Sequence, residues 1–222
     1  YGYDASGNPI YMLEQIGNLQ FFTEYTYDFK NRLEYVRTND SVKEYGYDAL
    51  DRVVMEAVSC GNRNVLISEY TYYSAEVDGT TVTTNQVASK RTTSDHYQSD
   101  LTYEYDGNGN IISINDGAIA YEYDSANQLI LEYNSYAKRI WHWTYDDAGN
   151  ITSKTEINLE TSEEYCYYYD YADQAWGDLL TFYDGRNFAY DANGNLTNDR
   201  IWEYTWQQGR QLATMRNGST TW

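Results

Sequence analysis

Acidic and phenolic side chains are the residues of this 222-residue chain most able to do chemistry, with 34 Asp and Glu and 27 Tyr. Their spacing narrows what that chemistry can be. Asp106-Gly-Asn108-Gly-Asn110 and Asp191-Ala-Asn193-Gly-Asn195 open like a calcium loop, with oxygen ligands at alternate positions. Such a loop also needs Gly at its sixth position and a bidentate Glu at its twelfth. Those places hold Ile111 and Gly117 in one loop, and Leu196 and Trp202 in the other, so turn formation explains the pattern better. Adjacent acids such as Glu163-Glu164 or Asp146-Asp147 could suggest a glycosidase pair. An acid and a nucleophile need a cleft and two different environments, which neighbours in an exposed run do not have. His96 and His142 are far apart, and Cys60 and Cys166 stand alone without a CxxC pairing, so neither metal-ligand spacing nor a disulfide framework is present. No nucleophile elbow, dinucleotide-binding or phosphate-loop motif occurs. No catalytic residue, metal or cofactor is expected. Aromatic rings that do not pack inward could stack on sugars, and this is the competing reading of the tyrosines.

The elements that carry these residues follow from a repeat, the first pattern to seek in such a chain. An aromatic-x-aromatic-Asp unit is followed by a short loop ending in Gly-Asn, or in Asn or Asp before Arg or Gln, and then by Leu, Ile or Val. Good copies begin at Tyr1-Gly-Tyr3-Asp4 (to Gly7-Asn8), Tyr25-Thr-Tyr27-Asp28, Tyr45-Gly-Tyr47-Asp48 and Tyr103-Glu-Tyr105-Asp106 (to Gly109-Asn110). Others begin at Tyr121-Glu-Tyr123-Asp124, Trp143-Thr-Tyr145-Asp146 (to Gly149-Asn150) and Phe188-Ala-Tyr190-Asp191 (to Gly194-Asn195). Degenerate copies lie at Tyr70-Thr-Tyr72, Tyr165-Cys-Tyr167 and Tyr204-Thr-Trp206. The second aromatic falls at 3, 27, 47, 72, 105, 123, 145, 167, 190 and 206, about 22 to 23 residues apart on average.

Each unit reads as a β-hairpin. Rings at i and i+2 share one face of a strand. Asp at the start of the loop can bond the following backbone, and Gly supplies the positive φ of a type I turn with a G1 bulge. Leu33/Tyr35, Val53/Met55, Ile111/Ile114 and Leu129/Leu131/Tyr133 then begin the return strands. The expected class is all-β: about ten tandem hairpins over residues 1–222, forming one long curved antiparallel sheet. Roughly twenty strands at about 4.8 Å spacing would run on the order of 95 Å, long enough that the sheet must curl. Two stretches break the rhythm. Residues 73–100 read as a longer, irregular hairpin, and Tyr165–Trp176 packs five tyrosines and a tryptophan into a short patch.

Fifteen basic residues against the acids leave a net charge of −19 and a mean hydropathy of −0.76. Nucleic acid and anionic lipid attract Lys and Arg clusters, so neither is an expected partner. No apolar run is long enough for a membrane helix, and the aromatic content argues against disorder.

The quoted YxYDxxGN motifs resemble the YD repeats of the Rhs (rearrangement hot spot) family, which includes bacterial cell-wall-associated and polymorphic-toxin proteins, toxin-complex shells and teneurins. The resemblance covers essentially the whole chain. It implies an open segment of a hollow β-shell that encloses or presents a C-terminal domain, often a toxin, and a secreted or cell-surface location, the bacterial cell wall among them. The Asp-Pro-x-Gly signature that closes many such shells is absent; the one proline is Pro9, after Asn8. The partner implied is the rest of a longer parent polypeptide. Choline- and glucan-binding hairpin repeats are similar in length but favour Gly-Trp, whereas Asp follows Tyr here. The alternative function is a surface adhesin that binds glycans through exposed Tyr and Trp. Open strand edges would also favour edge-to-edge self-association, as dimers or larger assemblies at high concentration.

Overall fold

The computed structural model describes residues 1–61 and 63–222, and every regular element among them is a β-strand. The chain divides into two compact units, Tyr1–Asp116 and Gly117–Trp222.

The first unit holds ten strands. They begin with β1 (Gly2–Tyr3), β2 (Pro9–Ile16), β3 (Leu19–Tyr27), β4 (Leu33–Arg37) and β5 (Ser41–Tyr47). Next come β6 (Val53–Cys60), β7 (Arg63–Val77), β8 (Thr80–Thr93), β9 (Gln98–Tyr105) and β10 (Ile111–Ile114). Each pairs antiparallel with the next in chain order. In the irregular stretch, β7 and β8 run to 15 and 14 residues, and Asp78 and Gly79 turn between them with φ of 51° and 73°. A two-residue turn with positive φ at both places matches the right-handed twist of its strands.

The second unit has two sheets. One runs through β11 (Ile119–Tyr123), β12 (Leu129–Asn134), β13 (Arg139–Tyr145), β14 (Ile151–Asn158), β15 (Glu164–Asp170), β16 (Phe182–Tyr183) and β17 (Arg186–Asn187). The other contains β18 (Ala189–Tyr190), β19 (Leu196–Asn198), β20 (Glu203–Gln207), β21 (Gln211–Asn217) and β22 (Thr220–Thr221). The all-β class and the long antiparallel sheet built from tandem hairpins hold. The separation of the last five strands into their own sheet follows the shortening of strands after Asp170, where residues 171–181 form an irregular connection.

Within each unit the described strands meet only their ladder neighbours. Burial is correspondingly thin. Among the described residues Ala57 is the one buried apolar residue, and no large side chain is fully buried. The accessible surface is 14894 Å² for a 25.9 kDa chain, against roughly 10,500 Å² for a compact monomer of that mass. Half-buried side chains on one-layer sheets therefore carry the packing, which leaves the turns and hydrogen bonds an unusual share of the work.

Candidate functional site

The repeat motif builds one turn seven times. In the copies opened by Asp4, Asp28, Asp48, Asp106, Asp124, Asp146 and Asp191, the Asp Oδ1 accepts from the backbone N–H groups two and four residues on, at 2.8–3.0 Å. The Asp N–H donates to the carbonyl four residues on, and the residue three on donates to the Asp carbonyl. That third residue (Gly7, Asn31, Asp51, Gly109, Asn127, Gly149 or Gly194) has φ between 61° and 90°, a region open to Gly and tolerated by Asn and Asp. A register shift sits beside the second aromatic in most copies, as at Thr26/Tyr27, Gly46/Tyr47, Glu122/Tyr123, Thr144/Tyr145 and Ala189/Tyr190. The bulge feeds the strand into the turn.

The other carboxylate oxygen takes a side chain from position i+4. Asn8, Asn110, Asn150 and Asn195 donate Nδ2 to Asp4, Asp106, Asp146 and Asp191 at 2.8–2.9 Å. Arg32 and Arg52 donate Nε to Asp28 and Asp48 at 2.7 Å. These bonds favour the charged form and hold the carboxyls of Asp4, Asp106, Asp146 and Asp191 below their ordinary value, the side-chain amide being the main cause. At Asp28 and Asp48, burial pushes upward, but the amide and guanidinium donors of Arg32 and Arg52 outweigh it and the carboxyls again lie low. Asp106 and Asp191, whose loops open like calcium loops, thus aim their carboxylates at their own turn.

In seven repeats the second aromatic ties the unit to the one before. Tyr27, Tyr47, Tyr72, Tyr105, Tyr145 and Tyr190 donate Oη to the carbonyls of Pro9, Leu33, Val53, Val87, Leu129 and Leu180 at 2.6–3.0 Å. Trp206 does the same through Nε1 to Leu196, at 2.7 Å. In five of these seven, the acceptor is the residue directly after the preceding turn, where its strand begins. Burial raises the phenol pKa of all six tyrosines. This tie was not read from the sequence, although a signal for it was there. Trp143 and Phe188 replace Tyr at the first aromatic place, whereas the second holds only Tyr or Trp, the aromatics able to donate.

First-position rings play a different part. Lys43 Nζ lies 4.6 Å from the Tyr45 ring centroid, and Lys154 Nζ lies 5.8 Å from that of Trp143. Tyr1 stacks on Tyr3 at 6.2 Å. Tyr25, Tyr103, Tyr121 and Phe188 are partly covered on their sheets. The adjacent acids stay apart in role: Asp146 closes its turn while Asp147 is exposed, and Glu163 accepts from Thr161 Oγ1. Cys60 and Cys166 are both free thiols. Among the described residues no group of three His, Cys, Asp or Glu is placed to hold a metal ion.

The Tyr-rich patch breaks into two faces. Tyr165, Tyr167 and Tyr169 alternate on one side of β15, opposite Glu156 and Lys154 of β14, while Cys166 and Tyr168 occupy the other. Tyr165 and Tyr167 meet edge to face at 4.5 Å, and Tyr167 stacks with Tyr183 at 6.1 Å. Tyr169 is driven up to about 12 by burial and by the neighbouring Tyr183. Trp176, from the irregular connection, lies against Gly194, where a Cβ would stand 2.6 Å from the indole.

No family model matches the chain, and no curated protein matches it. Among solved structures it is similar to a chain of the Photorhabdus luminescens Tc holotoxin pore, with 17% identity and a TM-score of 0.47 over 89% of this chain and 13% of that one. It is likewise similar to TcdB2-TccC3, at 15% identity and a TM-score of 0.48, covering 99% of this chain and 17% of the other. A third structure, TcdB2-TccC3-Cdc42, gives 18% identity and a TM-score of 0.45 over 92% and 15%. The chain spans less than a fifth of each of these longer chains.

Proposed function

We propose that this chain is a length of structural wall in a secreted or surface-displayed shell of the Rhs/YD type. It acts sterically, enclosing or presenting another part of the polypeptide to which it belongs, and contributes no catalytic group. The observation that carries the reading is the seven-fold reuse of one Asp-closed turn together with the aromatic tie that joins seven of the hairpins to their predecessors. A compact domain gains stability from a central core. These units gain theirs from neighbour-to-neighbour bonds, the mode of a repeat that can be extended without limit. The six repeat aspartates with a side-chain partner spend both carboxylate oxygens on their turns, which leaves little for acid–base chemistry.

The test is protection. The complete polypeptide containing this segment is digested under native conditions, beside its other domains expressed alone. A domain that resists protease only when joined to the repeats is the expected result. Digestion of every other domain at the rate of its isolated form would sink the proposal. The reading also expects the outer edge of β2 beyond Tyr11, which has no ladder partner among the described residues, to pair with another strand. Sedimentation that is independent of concentration would remove that part.

A further inference from the structure

Two glutamates on the aromatic face, Glu56 and Glu156, are each satisfied, but a tyrosine meets only the first. In the first unit Glu56 accepts from the Tyr70 hydroxyl at 3.3 Å and pairs with Lys43 Nζ at 3.5 Å. Lys90 Nζ covers the Tyr70 ring at 5.5 Å. In the second unit Glu156 accepts from Arg139 Nε at 2.7 Å and from Trp141 Nε1 at 3.3 Å. The tyrosine opposite it, Tyr165, turns away: its hydroxyl donates to Asp184 at 3.0 Å, and 52% of the residue is exposed.

What remains beside Tyr165 is a depression of about 410 Å³, lined by Arg139, Glu156, Asn158, Glu164, Tyr165 and Tyr167 among others. That volume falls in the lower part of the small-molecule range, about 300 to 1,000 Å³. Several polar groups around it have no partner among the described residues. Arg139 spends Nε on Glu156 and Nη1 on the Lys138 carbonyl, which leaves Nη2. Asn158 uses only Oδ1, for the Glu160 and Thr161 amides, which leaves Nδ2. The Tyr167 hydroxyl and the Glu164 carboxylate make no side-chain hydrogen bond among the described residues. Both donors and acceptors thus line the depression, beside two rings set at 65° to each other.

We propose that this depression binds a neutral pyranose sugar. A pyranoside has hydroxyls that both donate and accept, which suits the carboxylates and the Arg139 and Asn158 donors together. Its C–H face is weakly positive and fits the negative face of an aromatic ring. Glu156, Glu163 and Glu164 against the single Arg139 disfavour an anionic ligand, and Arg139 already occupies the place a cation would take beside Glu156. The inference stands on this geometry alone, and the wall reading can fail without it.

The test uses the full chain and a panel of methyl glycosides of glucose, galactose, mannose and N-acetylglucosamine, with methyl glucuronide and tetramethylammonium as charged probes. Saturation-transfer NMR and Trp fluorescence read the binding. At least one neutral glycoside is expected to bind saturably below on the order of 10 mM. Tyr165→Ala and Arg139→Met should each weaken it about tenfold or more, while Tyr168→Ala, on the opposite face, should leave it unchanged. Tyr167→Phe removes one hydroxyl, keeps the ring, and should weaken binding by a smaller factor even if the larger substitutions disturb folding. No saturable neutral glycoside, equal loss in Tyr168→Ala, or binding of a charged probe alone would each overturn the proposal.

Discussion

The turns closed by arginine and those closed by asparagine solve one problem with different reach. At Asp28 and Asp48 the guanidinium bonds the carboxylate and lies over the next repeat's tyrosine, Arg32 at 4.4 Å from the Tyr47 ring centroid and Arg52 at 4.1 Å from that of Tyr72. Arg32 also reaches Asp51 in the following turn, at 2.6 Å. At Asp146 and Asp191 the closing amide goes on to a backbone carbonyl, from Asn150 to Gly177 at 3.1 Å and from Asn195 to Gly209 at 2.6 Å. The backbone of the turn is the same in both. Where the second carboxylate oxygen has a partner, either kind of planar N–H donor at i+4 serves, and that donor's length decides whether repeats couple through charge or through neutral hydrogen bonds.

Acid should break both classes together, with the largest effect. The folded carboxyls lie below their ordinary value of 3.8. A lowered carboxyl pKa stabilises the fold fully above that value, and the contribution is lost as pH falls through the folded value. Circular dichroism should hold steady to about pH 4 and then fall cooperatively. Hydrogen exchange that shows the arginine-closed turns surviving to clearly lower pH would mean the guanidinium, not the shared amide pair, dominates. The tyrosine ties give the opposite sign. Their raised phenol pKa values make stability complete below pH 10 and lost as pH rises beyond it.

Gly194→Ala comes next. The position has φ of 76°, and its new Cβ would meet the Trp176 ring, so the cost should exceed the about 1–2 kcal/mol of left-handed strain alone. Gly149→Ala, at φ 88° with only the Gln128 amide 3.5 Å away, should show that strain by itself. Equal losses in thermal melts would remove the role given to Trp176. Tyr145→Phe should cost about 1 kcal/mol, because it leaves the Leu129 carbonyl without its donor; a neutral result would reduce the tie to ring packing. The smallest effect is expected for Arg32→Asn. It should lower the melting temperature at low salt and lose that difference near 1 M salt, where charge interactions are screened beyond about 3 Å. Asn150→Ala should be insensitive to salt, and the same salt response in both would erase the distinction between the two classes.

Much of this was legible in the residues. Asp at the turn start, Gly at the left-handed position and two aromatics at i and i+2 are local signals, and local backbone sterics act the same way in every copy. Asn31, Asp51 and Asn127 take the Gly place because their short polar side chains tolerate positive φ. The sugar-platform idea was visible only as a surplus of aromatic rings. No spacing marks Tyr165 as turned away from Glu156 while Tyr70 meets Glu56, since both acids face a tyrosine across a ladder.

By itself, then, the sequence determined the hairpin, its closing turn and its period, because each depends on residues within about one turn of each other. Only the tertiary structure decided which carbonyl each tyrosine hydroxyl meets, which repeats couple through charge, where the sheet of the second unit stops, and that Tyr165 turns to Asp184 instead of Glu156. Those outcomes depend on register between strands distant in sequence, and on competition among several partners that single-strand patterns do not rank.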